Sequence, residues 1–396
     1  MKKTMIIIGD GMSDLPVDQL GGLTPLEASE IPNMDRLAQS GVVGLTRNVP
    51  EGMEPGSDVA IMSIMGYNPK ECYTGRGPIE AASIGVDIKS DETAFRCNLI
   101  SVEEDILSDY SGGHIETEDA AQLIAALQEA GLSPDSKFIS GVSFRHLLLL
   151  KGDFTSTKTY PPHDHIGGKW TEWLPTGAGS EKLIEIIKKS QSVLNEHPLN
   201  IRRKAAGKAP ANSAWPWSGG ISPRMLPYSE KYGVTGSVIS AVDLVQGLGR
   251  IAGLDIIKVA GATGMVDTNY EGKVAAALSA IHDKDLVVLH LEGTDEAAHM
   301  GSLELKMEGI RRLDRLVVGP VSEYMKKFDD YVVLILPDHP TPISIRTHTS
   351  DAVPFLICSP KPPFSSKTVD AFSERTAAST GLIIDNGYEL LGRLLK

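Results

Sequence analysis

Cysteine is scarce in this chain. Cys72, Cys97 and Cys358 are the only three among 396 residues, an odd number without CxxC spacing. That argues against a disulfide framework and for a reducing compartment. Basic residues are in deficit as well: Lys plus Arg number 38 against 51 Asp plus Glu, for a formal charge of -13. A nucleic-acid partner held by phosphate neutralisation is therefore not expected, although a few local Arg and Lys residues can still bind a small anion. Long apolar runs are missing too. The first one, Met5-Ile-Ile-Ile8, stops at Gly9-Asp10, too short for a signal core or a membrane span, so a cytoplasmic location and no membrane partner are expected. The chain has no internal repeat, low-complexity tract, coiled-coil heptad or Gly-x-x-x-x-Gly-Lys-Ser/Thr loop for a nucleotide.

What is present reads as an α/β protein of more than one domain, since 396 residues exceed what one core usually holds. A strand over Thr4 to Ile8 is followed by helices near Pro32 to Ala38 and from Ser57. Further strands are expected at 236–240, 256–260, 286–291, 332–336 and 354–358, alternating with helical segments; that rhythm predicts a doubly wound, mostly parallel sheet. Between the two parts the texture changes. Strand-like pieces at 94–100 and 142–150, an amphipathic helix over 116–130 and long Gly/Pro-rich loops predict a smaller α+β unit inserted into the first domain. The Pro-, Gly- and Trp-rich stretch 207–220 reads as a linker or hinge. The expected organisation is thus one domain from 1–75 and 219–396, with 76–218 inserted.

Two apolar strands, Asp285-Leu-Val-Val-Leu-His-Leu291 and Tyr331-Val-Val-Leu-Ile-Leu336, are followed closely by Asp295, His299, Asp338, His339 and His348. Open α/β sheets place their sites at such carboxyl ends. Asp295 and His299 are four residues apart, which on a helix puts them on one face. Mixed carboxylates and imidazoles suit Mn²⁺ or Zn²⁺ better than Mg²⁺ or Ca²⁺. Asp10 follows three isoleucines between two glycines, either as a turn former or as a member of the same row of strand ends. Ser57 stands at the expected N-cap of a helix, where unpaired N–H groups favour a developing alkoxide. It is a simple cap unless a metal activates its hydroxyl.

Taken together, Gly9-Asp10-Gly11, Ile31-Pro-Asn-Met-Asp-Arg-Leu-Ala38, Pro55-Gly-Ser57-Asp58 and the Asp295/His299, Asp338-His339 and His348 cluster resemble the alkaline phosphatase superfamily. Tyr73-Thr-Gly-Arg-Gly-Pro-Ile-Glu80, Asp109-Tyr-Ser-Gly-Gly-His114, Val142-Ser-Phe-Arg-His146, Lys231-Tyr-Gly-Val-Thr-Gly and Gly264-Met-Val-Asp-Thr-Asn-Tyr-Glu-Gly-Lys273 narrow the resemblance to its cofactor-independent (2,3-bisphosphoglycerate-independent) phosphoglycerate mutases of the shorter archaeal type. The resemblance spans nearly the whole chain. It implies an alkaline phosphatase-like fold and two divalent cations, usually Mn²⁺, with Zn²⁺ or Mg²⁺ as alternatives. One would be held by Asp10, Ser57, Asp338 and His339, the other by Asp295, His299 and His348. It further implies transfer of the phosphoryl group of 3-phosphoglycerate, a small phosphorylated hydroxy acid, to Ser57 and back to the other hydroxyl, in glycolysis and gluconeogenesis.

By the same resemblance the inserted unit would bind substrate and act as a lid. His114 would be its general acid/base. Lys231 resembles the family's phosphate-contacting lysine, and Arg145 and Arg203 are candidate anion clamps because guanidinium matches carboxylate and phosphate bidentately; Pro161-Pro-His163-Asp164-His165 would shape the substrate pocket through His163 and Asp164, or form a rigid turn, rather than hold a third metal. The longer bacterial mutases carry an adjacent Asp-Arg pair, of which Arg145-His146 is the nearest counterpart here. Members of the shorter branch are also read as homoserine kinases, which gives a second reading with the same metals and serine but a different acceptor.

Overall fold

The computed structural model describes residues 2–396. Its strands in chain order are β1 (Lys3–Gly9), β2 (Val42–Thr46), β3 (Glu92–Glu103), β4 (Ile106–Asp109), β5 (Ser136–Val142), β6 (Arg145–Lys151) and β7 (Ser213–Gly220). They continue as β8 (Gly236–Ile239), β9 (Asp255–Ile256), β10 (Leu286–Leu291), β11 (Tyr331–Leu336), β12 (Val353–Cys358) and β13 (Ile383–Ile384). The chain divides into two compact units, Met1–Tyr73 with Arg224–Lys396, and Thr74–Pro223.

The first unit is built on an eight-stranded sheet in the order β13-β2-β12-β11-β1-β10-β8-β9. β1 pairs in parallel with both β10 and β11, β10 with β8, and β8 with β9, while β12 runs antiparallel to β11 and β2. The apolar runs follow from this position. A central parallel strand is covered on both faces, so it reads as continuous rather than alternating hydrophobicity; Met5, Ile6, Ile7 and Ile8 are all 0% exposed. The mostly parallel sheet with an inserted α+β unit is the fold class expected from the sequence. One expected strand shrinks: of residues 256–260 only Ile256 lies in a strand, β9 (Asp255–Ile256).

The second unit is a five-stranded antiparallel sheet in the order β4-β3-β6-β5, with β7 on the other side of β3. Its helix Thr117–Glu129 buries Ala120, Leu123, Ile124 and Leu127, the one-face spacing that its sequence shows. The stretch read as a linker is a correction. Residues 213–220 form β7, paired antiparallel to β3 with Pro216 opposite Cys97, and Trp215 and Trp217 are buried. A proline and two flanking tryptophans hide the two-residue period by which a strand is recognised.

Candidate active site

β10, β1 and β11 are neighbours and parallel, so the residues that follow them leave one edge of the sheet together. Asp10 follows β1. Asp295 and His299 lie on the helix Gly293–His299 after β10, and Asp338 and His339 follow β11. The loop between β11 and β12 returns His348. Two groups of ligand atoms converge among the described residues, Asp295/His299/His348 and Asp10/Asp295/His339. The Nε2 atoms of His299 and His348 are 3.0 Å apart, and His299 Nε2 is 3.1 Å from Asp295 Oδ2. His299 is oriented by its Nδ1, 2.9 Å from the Arg346 carbonyl oxygen, the outer contact typical of metal-ligating imidazoles.

Gly11 makes this approach possible. Its φ is +60°, and a Cβ there would stand 2.5 Å from Asp295 Oδ1 and 2.6 Å from Thr341 Oγ1. Its N–H donates to Asp338 Oδ1 at 3.0 Å, and the N–H of His339 donates to the same oxygen at 2.8 Å.

Ser57 departs from expectation in an informative way. The cap residue of its helix is Gly56, Ser57 opens the helix Ser57–Ile64, and no side-chain cap bond forms. Its hydroxyl instead donates to Asp10 Oδ2 at 3.4 Å and stands 3.2 Å from His339 Nε2.

The electrostatics bear on what the cluster can hold. Burial, then the charges of Asp338 and Asp295, push the Asp10 carboxyl well above the usual carboxylate range. Burial would do the same to Asp295, but hydrogen bonds from His299 and His348 hold it far below that range. The bond to Asp295 raises His299 to about 9. Asp10 Oδ1 and Asp338 Oδ2 are buried and accept no hydrogen bond, a costly state for carboxylate oxygens. Crowded carboxylates with orphaned oxygens, beside imidazoles that must be neutral to ligate, are the donor set that divalent cations satisfy.

Two contributors were not singled out from the sequence. His290, within β10, places Nε2 2.9 Å from Asp10 Oδ2 and Nδ1 3.1 Å from Ser240 Oγ. Burial lowers it to about 3, so it is neutral. Its signal was a polar residue inside an apolar strand. Thr341 donates to Asp295 Oδ1 at 2.5 Å.

In the second unit, His114 is exposed with φ +49°, at the end of a loop in which Asp109 Oδ1 accepts from Ser111 and Gly113. Tyr110 has the rings of His114, Phe144 and His163 around it at 6.4, 5.4 and 6.2 Å. His163 lies 5.4 Å from Trp217 and 3.6 Å from Asp164. Arg145 is exposed, with its guanidinium over Phe144. Arg96, also not singled out, packs over Trp217 at 4.1 Å and pairs with Glu80 at 2.9 Å. Burial first lowers His163, opposed by the charge of Asp164 and aided by those of Arg96 and Arg76, and Trp217 touches both His163 and Arg96, so these groups form one aromatic cluster with guanidinium at its edge.

Two residues are placed differently from expectation. Arg203 is 6% exposed; it donates to Gly112 O at 2.7 Å and Ala209 O at 3.1 Å and lies 3.8 Å from Asp119. Its donors hold the His114 loop rather than face a ligand. Lys231 donates to Gly66 O and lies 4.1 Å from the Tyr67 ring, just past the C-terminal end of the Ser57 helix. The segment 161–165 forms a tight turn, Pro162–His165, in which His165 stacks on Trp173 at 3.5 Å.

A serine hydroxyl amid carboxylates and imidazoles, at the carboxyl edge of a doubly wound sheet, defines an α/β enzyme with a metal-type site. Comparison with known proteins narrows the class. The family model described as 2,3-bisphosphoglycerate-independent phosphoglycerate mutase matches residues 38–200. A Methanosarcina barkeri protein of that name is 46% identical over 100% of this chain and 99% of its own. The solved cofactor-independent phosphoglycerate mutase of Thermoplasma acidophilum superposes with a TM-score of 0.71 at 26% identity, covering 100% of both chains. A Pyrococcus horikoshii protein gives 0.83 at 31%, covering 100% of this chain and 97% of that one. The chain belongs to the 2,3-bisphosphoglycerate-independent phosphoglycerate mutase family and is an isomerase.

Proposed function

We propose that this enzyme interconverts 3- and 2-phosphoglycerate through a phosphoserine at Ser57, with two divalent cations, most simply Mn²⁺, in the cytoplasm and as a step of glycolysis and gluconeogenesis. The observation that carries the proposal is the Ser57 hydroxyl, freed from capping and set between Asp10 and His339. Asp10, Ser57, Asp338 and His339 would hold one cation, and Asp295, His299 and His348 the other. When bound, the cations lower the pKa of the serine hydroxyl and offset charge on the transferring phosphoryl group. Ser57 Oγ gives up its proton and attacks phosphorus, the bond from phosphorus to the C3 oxygen breaks, and glycerate leaves with a proton gained at that oxygen. The C2 hydroxyl then loses its proton and attacks the phosphoserine, the bond from phosphorus to Ser57 Oγ breaks, and the serine oxygen regains a proton.

His114 is read as the group that gives and takes these protons. Arg145, joined by Arg96 and Arg76, is read as the anion-binding part of the substrate surface, because guanidinium matches carboxylate and phosphate bidentately. His163 and Asp164 shape that surface. Water must be excluded for transfer to beat hydrolysis, and the Thr74–Pro223 unit is read as the lid that does so.

An enolase-coupled assay tests the proposal. Activity is expected with Mn²⁺ and no added 2,3-bisphosphoglycerate; none above background rejects it. Ser57→Ala should lower turnover by at least ~10³-fold with little change in stability, since no cap bond is lost. Retained turnover removes Ser57 as nucleophile.

A further inference from the structure

Lys306 is a lysine with no exposed surface, on the helix Leu303–Arg312, outside every motif considered so far. Its ammonium donates to Asp14 Oδ2 at 2.7 Å, to Thr341 O at 2.8 Å and to Ser13 O at 3.1 Å. All three donor positions are therefore used. The acceptors belong to two loops: Ser13 and Asp14 continue the β1 end that carries Asp10, and Thr341 continues the β11 end that carries Asp338 and His339. The same loops touch directly, through bridges from Met12 and Ser13 to Pro340 and a bond from Thr341 N–H to Ser13 O at 3.2 Å.

Asp14 Oδ2 also accepts from Ile343 N–H at 3.2 Å. On its far side, Glu374 accepts from Ser13 Oγ at 2.9 Å and Asp14 N–H at 3.1 Å. From Thr341 the connection runs on to the ligands themselves, since its hydroxyl donates to Asp295 Oδ1 and lies 3.2 Å from His339 Nδ1.

A buried ion pair seldom adds much net stability, because desolvation offsets the attraction. Its better-attested use is to fix one arrangement among several. Here the arrangement fixed is that of two loops whose ends carry Asp10, Asp338 and His339. We infer that Lys306 is a positioning residue: with Asp14 it clasps the two ligand-bearing loops in register, and the clasp sets how tightly the cluster binds divalent cations. Lys306 touches neither cation site nor substrate. It acts through Thr341, Ser13 and Asp14, as outer partners of metal ligands do.

The inference rests on the two-cation reading, and Mn²⁺ binding, counted by electron paramagnetic resonance on the full chain, separates the two. Wild-type protein is expected to take up two Mn²⁺. Lys306→Met keeps the length of the side chain and removes its donors; it should weaken Mn²⁺ binding by tenfold or more, with kcat at saturating Mn²⁺ reduced less than at limiting Mn²⁺. Should Lys306→Met fail to fold because Asp14 is left unpaired, the charge-neutral pair D14N/K306M carries the same expectation.

Trp215→Ala, in the other unit, is the control for a purely structural effect: it should lower the melting temperature and leave Mn²⁺ affinity unchanged. A Lys306 variant that melts earlier yet binds Mn²⁺ as the wild type does overturns the clasp. Wild-type protein that takes up no Mn²⁺ overturns the two-cation reading and the clasp with it.

Discussion

At the scale of single residues, burial decides which titratable groups are available for chemistry. His146 illustrates a group removed from it. It is 2% exposed, its Nδ1 accepts from Gly141 N–H at 3.0 Å, and burial lowers it from 6.5 to about 4. Protonation would replace that acceptor with a second donor. The folded state therefore holds His146 neutral while the unfolded chain takes up a proton near pH 6.5, so stability present above that pH is lost as pH falls towards 4. The full loss is about 3 kcal/mol.

All four tryptophans, at 170, 173, 215 and 217, lie in the Thr74–Pro223 unit, so their fluorescence follows that unit alone. Denaturant unfolding read this way should show lower stability at pH 4.5 than at pH 7. His146→Asn, which can still accept from Gly141 but does not titrate, should flatten the difference; an unchanged slope assigns the pH dependence elsewhere.

At the scale of elements, strand order does the work. Asp10 is near the start of the chain and Asp338 near its end, and they meet because β1 lies between β10 and β11. In the other unit the comparable element is β7, whose tryptophans support the aromatic surface from below. Trp215 is 1% exposed, packs with Ile100, Val102, Leu107, Trp170, Ile187 and Trp217, and donates from Nε1 to Tyr160 O at 2.8 Å. Trp215→Ala should cost about 3–5 kcal/mol, visible as a lower urea midpoint in the fluorescence of the three remaining tryptophans. A change below about 1 kcal/mol would show that β7 is peripheral to the unit's core.

At the scale of the whole molecule, the cation binding proposed for the cluster would couple ligand binding to folding in the first unit. A cation that binds only the folded state stabilises it by about 2.7 kcal/mol at a hundredfold excess over its dissociation constant. Chelation with EDTA should therefore abolish mutase activity and lower the calorimetric melting temperature of the unit containing Asp10. Adding Mn²⁺ should restore both. Full activity after exhaustive chelation would show that the residues at the strand ends work without a metal.

The sequence by itself determined the plan of two units and most of the candidate site. Apolar runs ending in Asp and His mark strand ends wherever a parallel sheet is covered on both faces, and Gly11 follows Asp10 where the backbone closely approaches Asp295 and Thr341. Tertiary structure decided what local pattern cannot encode. It turned the Trp-Pro-Trp stretch into β7, because pairing with β3 outweighs a missing proline N–H. It moved the cap from Ser57 to Gly56, which leaves the serine hydroxyl facing Asp10. It also committed Arg203 and Lys231 to backbone carbonyls and brought His290, Arg96 and Lys306 into place. A side chain's role depends on which partners the fold leaves within hydrogen-bonding reach, and those partners lie up to 392 residues away in the chain.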